Sequence, residues 1–99
     1  MRFLVIGRDG TDPEAPDRRA AARQAHLAAG SRLAEEGVLV HGGALVDDDG
    51  RMTGSMLLLD LPDRAALDAW LAEEPYVTGD VWREVTVERF QPGPWHLPA

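Results

Sequence analysis

Two segments of the chain are apolar at every position, and this pattern constrains the fold more than any other feature. The segments are residues 3–6 and residues 56–59. Because successive side chains of a strand point to opposite faces of a sheet, a strand of this kind is buried on both faces. The sheet that contains these two strands therefore needs an apolar cover on each side.

Turn residues and helical spacing predict the remaining elements. In the first half of the chain we predict a strand at residues 3–6 ended by Gly7, a loop at 8–16, and a helix from an N-cap at Asp17 to about Glu36. A strand at 38–45, a turn at 47–50 and a strand at 53–60 follow. The last two elements are a helix capped by Asp63 and ended by Pro75, and a strand at 81–90. The order strand, helix, strand, strand, helix, strand predicts a ferredoxin-like α+β fold, with a four-stranded antiparallel sheet and two helices on one face.

Three glycine positions carry local predictions. Gly37 is expected to end the first helix in the left-handed conformation. Gly30 lies inside that helix, where it permits a close approach to the sheet. Gly42 and Gly43 interrupt the second strand and indicate either a bulge or a close backbone contact.

The length of 99 residues predicts one domain, at residues 1–90, followed by an extended proline-rich tail at residues 91–99. Two helices cover only one face of the sheet. The simplest cover for the other apolar face is a second copy of the chain, so we predict a homodimer through the sheet faces.

Composition excludes several classes of function. A net charge of −7 argues against nucleic acid and anionic membranes as partners. All ten basic residues are Arg and there is no Cys, which excludes Schiff-base chemistry at Lys, thiol catalysis and Cys-based metal sites. No apolar run approaches the length of a membrane span, and the N-terminal run is too short for a signal peptide, so a cytoplasmic location is expected.

His26 is the leading candidate for chemistry. It falls on the apolar stripe of the first predicted helix, where a titratable ring needs a hydrogen-bond partner. Glu73 and Glu74, at the end of the second helix, are candidate partners. An imidazole held by a carboxylate is a common general-base arrangement and equally a common structural pair, and the residue pattern alone leaves both interpretations open.

Other candidates are weaker. Arg8 and Asp9 follow the first strand, where Arg8 could bind a carboxylate or pair with a neighbouring acid. Ser55 could place a hydroxyl near a ligand, Tyr76 could supply a phenol, and Arg23 is expected at a cavity rim or on the surface. We expect the remaining histidines to be solvated, the tryptophans 82 and 95 to line an interface or a pocket, and the acidic run at 47–49 to be an exposed turn. No histidine spacing suggests a metal site, and none is predicted.

The chain resembles the YciI-like family (YCII-related domain) of the dimeric α+β barrel superfamily. The residues that carry the resemblance are Arg8-Asp9-Gly10, Arg23-Gln24-Ala25-His26-Leu27, Gly37, Asp49-Gly50-Arg51, Gly54-Ser55, Glu74-Pro75-Tyr76-Val77, Val85 and Phe90. The resemblance implies a homodimer of ferredoxin-like subunits and a cavity in which a histidine, here His26, pairs with an acid. That acid is normally Asp before Pro-Tyr or Pro-Phe. In this chain Glu74 takes its place, so the geometry of the pair must differ.

The resemblance also implies a reaction class. Family members with an assigned reaction resemble enzymes that act on small cyclic or chlorinated aromatic-derived compounds, by proton abstraction and elimination or isomerisation. We therefore expect a small-molecule enzyme without a cofactor, in which His26 is the general base, Glu74 orients it, and Arg8, Asp9, Ser55 and Tyr76 position the substrate. One alternative is a non-catalytic ligand-binding or accessory protein with a structural His26. Another is a haem-dependent or oxygenase-like relative, which an absorbance spectrum would reveal.

Overall fold

The computed structural model describes residues 1–95 and contains seven elements. They are β1 (Arg2–Asp9), α1 (Ala15–Glu35), β2 (Leu39–Val46), β3 (Met52–Asp60), α2 (Arg64–Glu73), α3 (Pro75–Thr78) and β4 (Trp82–Arg89). The four strands form one antiparallel sheet in the order β2-β3-β1-β4. This is the predicted ferredoxin-like order, with the helices packed on one face, and α3 is a short addition to it.

The helix ends show where local sequence signals suffice. Asp63 caps α2 as predicted, because its side chain accepts a hydrogen bond from Ala66 N at 2.8 Å. Gly37 follows α1 with a φ of +78°, also as predicted. The prediction of Asp17 as the cap of α1 is wrong: the helix begins at Ala15, and Pro16 lies in its first turn, where the missing N–H has no intrahelical role.

Two other predicted boundaries need correction. The first strand does not end at Gly7 but continues through Asp9. In β2 the register shifts do not fall at the glycine pair but between Leu39 and His41 and between Leu45 and Val46. The alternative of a close backbone contact fits Gly42, since a Cβ there would lie 3.3 Å from the carbonyl oxygen of Met56.

The helix-facing side of the sheet forms the core. Its buried side chains come from all layers of the fold: Phe3, Val5, Leu57, Leu59, Leu67, Tyr76, Val81 and Trp82. Along β1 the buried positions alternate with half-buried ones, as expected for a strand whose two faces differ. Gly7 is required here because a Cβ would lie 2.2 Å from the Trp82 ring, which lies across the strand.

The opposite side of the sheet, here called the outer face, carries the second set of apolar residues. Leu4 pairs with Leu58 and Ile6 with Met56 across β1 and β3, and all four are only half-buried. His41 pairs with Leu58 and therefore shares this face, away from the helices. The chain is thus apolar on both faces of its central strands, as the sequence pattern predicts.

Residues 90–95 follow β4 without helix or strand, and the side chain of Trp95 is 85% exposed. Predictions for residues 96–99, including an exposed His96, lie outside the described residues. Within residues 1–95, neither the length nor the hydropathy of any helix is sufficient for a membrane span.

Candidate functional site

His26 and Glu74 meet at the helix-covered side of the sheet. His26 lies in the middle of α1, and its Nδ1 hydrogen bonds to Oε1 of Glu74, which is 3% exposed. Glu74 stands at the junction of α2 and α3, where the same Oε1 also accepts a hydrogen bond from Tyr76 N at 3.2 Å. Because an ionised carboxylate only accepts hydrogen bonds, Nδ1 is the donor in this contact, and in the neutral imidazole Nε2 then holds the free electron pair.

Two aromatic rings fix the plane of the imidazole. The Tyr76 ring stacks on His26 with centroids 3.9 Å apart and planes inclined by 12°. Trp82 meets both rings edge-on, at centroid distances of 6.0 Å from His26 and 5.7 Å from Tyr76. The imidazole is therefore held by a hydrogen bond at one nitrogen and by packing against its face, which leaves it little rotational freedom.

A buried ion pair lies next to these rings. Arg19 donates to both carboxylate oxygens of Asp9, at 2.9 and 3.0 Å, and to the hydroxyl of Ser55 at 3.2 Å. Its guanidinium lies 4.7 Å from the centroid of the Tyr76 ring. Ser55 also accepts from Trp82 Nε1 at 3.2 Å, so its own hydroxyl hydrogen is left to donate.

Beside α1, a cavity of about 380 Å³ opens between the helix and strands β2 and β3. Most of its wall is apolar or glycine. Its polar groups come from Arg19, Arg23, His26, Ser31, Ser55 and Tyr76. The volume lies near the lower end of the range for small-molecule sites, about 300–1,000 Å³. His26 lines this cavity, and its Nε2 atom has no hydrogen-bond partner among residues 1–95.

The hydroxyl of Tyr76 is available to donate a hydrogen bond. Its side chain is almost completely buried, and burial raises the pKa of the phenol above its ordinary value of 10.0, although Arg19 and Arg23 oppose the shift. Tyr76 therefore stays protonated at neutral pH. Its hydroxyl makes no hydrogen bond within the described part of the chain.

The structure brings together five of the six predicted site residues. His26, Glu74 and Tyr76 form one contact network, and Asp9 and Ser55 reach it through Arg19. Arg8 lies apart: its side chain is exposed and lines a separate open cleft of about 680 Å³, beyond the end of β1. That cleft is also lined by Asp9, Arg51 and Arg83, and the cavity beside α1 does not reach Arg8.

Arg19 is the site residue that the sequence reasoning missed. It lies seven residues before His26 on α1, and residues seven apart occupy the same side of a helix. That spacing is the signal that could have identified it. Across residues 1–95, no three His, Asp or Glu side chains gather as a metal ion would require.

Comparison with known proteins gives one family. The model of the YCII-related domain matches residues 1–91. Protein YciI of Escherichia coli O6:H1 is 29% identical over 97 residues, which cover 92% of this chain and 97% of that protein. The 5-chloro-2-hydroxyhydroquinone dehydrochlorinase of Burkholderia phenoliruptrix AC1100, solved in complex with 2,5-dihydroxybenzoquinone, superposes with a TM-score of 0.81 at 24% identity, over 94% of this chain and 96% of that one.

A more distant structural relative shares the fold. A dimeric ferredoxin-like protein from Jannaschia sp. CCS1 superposes with a TM-score of 0.52 at 18% identity, over 92% of this chain and 98% of that one. At these identities the superpositions establish the fold and nothing finer. Because the family model spans nearly the whole chain and the YciI proteins align along their full length, the chain belongs to the YCII-related domain family.

Proposed function

We propose that this chain is a small-molecule enzyme in which His26 is the general base and Glu74 orients it. The observation that carries the proposal is the position of the imidazole: Nδ1 is bound to a buried carboxylate, Nε2 has no hydrogen-bond partner among residues 1–95, and His26 lines a small cavity. A base held in one tautomer and one orientation is suited to removing a proton from a bound ligand.

The proposed step moves one proton and needs no electron carrier. Nε2 of His26 removes a proton from a ring carbon next to a carbonyl, and the electron pair of the broken C–H bond moves onto the carbonyl oxygen. Glu74 stabilises the imidazolium that forms. Return of the proton to another atom of the ring completes an isomerisation, whereas departure of a substituent with its electron pair completes an elimination. Ser55 and Tyr76 supply hydroxyl donors for the developing oxyanion.

The dehydrochlorinase relative supports the choice of a small oxygenated ring as substrate. The cavity size supports it as well, because about 380 Å³ accommodates a single substituted ring. The alternative, a binding or accessory protein with a structural His26, draws its support from the stacking of His26 on Tyr76, a contact that also stabilises the fold.

Solvent deuterium exchange tests the proposal without knowledge of the natural substrate. The wild-type protein is incubated in D₂O with cyclic ketones and hydroxyquinones, including 2,5-dihydroxybenzoquinone, and ring protons are followed by NMR. We expect saturable, protein-dependent exchange of at least one compound. Saturable binding without exchange across the panel would instead favour the accessory protein.

We also propose that the outer face of the sheet is the surface of a homodimer. Leu4, Ile6, Met56 and Leu58 form a continuous apolar patch there, and a dimeric ferredoxin-like protein is among the structural relatives. Burial of this patch against a second copy removes it from water on both chains.

Leu58→Glu should convert the dimer into a monomer. Leu58 pairs with both Leu4 and His41, so the new carboxylate lies in the middle of the apolar patch and would be desolvated in a dimer. Sedimentation velocity should give twice the mass of one chain for the wild type and one chain for the variant. Ala28→Glu, on the exposed side of α1, is the matched control and should remain dimeric. An unchanged mass for Leu58→Glu contradicts the proposed interface.

A further inference from the structure

The wall of the cavity beside α1 contains basic side chains and no acidic ones. It contains the side chains of Arg19, Arg23 and His26, and no Asp or Glu. The chain as a whole has 17 acidic residues against ten basic ones, and a net charge of −7. In a chain with more acidic than basic residues, composition alone would place acidic side chains in the wall as well, so a wall with two cations and no acid is unexpected.

Only one of these cations lacks a counter-charge. Arg19 is neutralised by Asp9, with both side chains less than a tenth exposed. Glu74 is not part of the wall, and its Oε1 already accepts hydrogen bonds from His26 and Tyr76. Arg23 makes no ion pair and no side-chain hydrogen bond within residues 1–95. Its guanidinium is the uncompensated charge at the cavity rim.

The neutral polar groups of the wall point to the same kind of ligand. Ser55 has already accepted two hydrogen bonds and has a hydrogen left to donate, and the protonated phenol of Tyr76 has no acceptor among the described residues. Together with the five N–H groups of Arg23, these are donors. A wall rich in donors and carrying a free cation is complementary to an anionic oxygen.

We infer that the ligand of this cavity is a small ring that carries an anionic oxygen, such as a carboxylate or phenolate, and that Arg23 binds this oxygen at the rim. The inference rests on the proposed function and specifies its substrate class. Arg23 precedes His26 by three residues on α1, and side chains at that spacing are neighbours on a helix surface, about 5–6 Å apart at Cβ. One single-ring molecule can therefore span from the guanidinium to Nε2 of His26.

A pair of probes of equal shape and different charge tests the inference. Benzoate and benzamide are titrated into the full chain at neutral pH, and the shifts of the His26 ring signals in NMR give both affinity and location. We expect the wild type to bind benzoate at least about tenfold more tightly than benzamide, a difference that corresponds to about 1.4 kcal/mol. Added salt should reduce the preference, because the contact at the rim is partly exposed to solvent.

Variants on the same helix assign the preference to a residue. Arg23→Gln should lower benzoate affinity about tenfold, which is again about 1.4 kcal/mol, and leave benzamide unchanged. Arg23→Lys should retain part of the preference, since it keeps the charge and loses the bidentate geometry. Arg32→Gln is the matched control, because Arg32 lies on α1 outside the cavity wall, and it should behave as the wild type.

The outcomes separate this inference from the proposed function. Equal binding of both probes to the wild type, or a benzoate preference that Arg23→Gln leaves intact, overturns the anionic ligand and leaves a small-molecule cavity. Benzoate binding that does not shift the His26 signals also overturns it, since the anion then binds elsewhere. If neither probe binds, the inference fails, whereas the proposed function is still decided by the deuterium-exchange experiment.

Discussion

Replacement of His26 by Gln is expected to lower the rate of proton exchange or turnover by about 10²–10⁴-fold, the usual contribution of a general base. Gln keeps an N–H group for Glu74 and a similar volume, but it has no basic nitrogen in place of Nε2. The stack on Tyr76 is lost, which should reduce the free energy of unfolding by about 0.5–1.5 kcal/mol. The variant should therefore fold, with a normal circular dichroism spectrum and a slightly lower melting temperature.

His41→Gln is the matched control for this experiment. His41 lies on the outer face of the sheet, opposite to the cavity, so its replacement should leave the exchange rate unchanged. A His26→Gln protein that folds and retains the wild-type rate would exclude His26 as the base. If it failed to fold, His26 would be assigned a structural role, which is the accessory-protein alternative.

The pairing of His26 with Glu74 shows how far a sequence can locate a site in this fold. His26 is predicted from its place on an apolar helical stripe. The end of the second helix offers Glu73 and Glu74 as partners, and the family resemblance selects Glu74. The contact between them is present. Glu74 stands where the resemblance implies Asp, and the three-dimensional structure shows how it is held: one carboxylate oxygen contacts Nδ1 of His26 and also accepts from Tyr76 N at the start of α3.

Arg8 and Asp9 lie in a part of β1 that the sequence pattern did not predict as strand. The sequence placed both in a loop after a strand that stopped at Gly7. The strand continues through Asp9, and its register with β4 shifts between Arg8 and Asp9. Asp9 binds Arg19 beside His26, whereas Arg8 lines the open cleft beyond β1, which Asp9 also borders. Strand length depends on pairing with β3 and β4, which no local pattern reports.

Arg19 was not predicted as a site residue because arginine on a helix is usually solvated, and the sequence gives no indication of a partner ten residues away on the adjacent strand.

The short helix α3 was also not predicted from the sequence. The sequence predicts that Pro75 ends α2, and in the structure Pro75 also begins α3, since the first position of a helix suits proline.

Arg19→Met is expected to reduce the free energy of unfolding by about 3–5 kcal/mol, the usual cost of removing one partner from a buried ion pair. Methionine fills much of the volume of the side chain but leaves the carboxylate of Asp9 buried without a counter-charge. It also removes the hydrogen bond to Ser55 and the contact with the Tyr76 ring. Urea unfolding at a fixed protein concentration measures the loss, since the proposed dimer would make the measured stability depend on concentration.

Two further variants distinguish the cost of leaving a buried charge unpaired from the cost of replacing any arginine by methionine. Arg64→Met removes an ion pair with Asp68 of similar length, 2.9 Å, in which both side chains are more than half exposed, and should cost less than about 1 kcal/mol. The double variant Asp9→Asn with Arg19→Met should regain part of the lost stability, because a neutral amide is less costly to bury than a carboxylate. If Arg19→Met is as stable as Arg64→Met, the Arg19–Asp9 pair does not hold Ser55 and Tyr76 in place. The cavity wall would then depend on the core packing of Trp82 and Tyr76 instead.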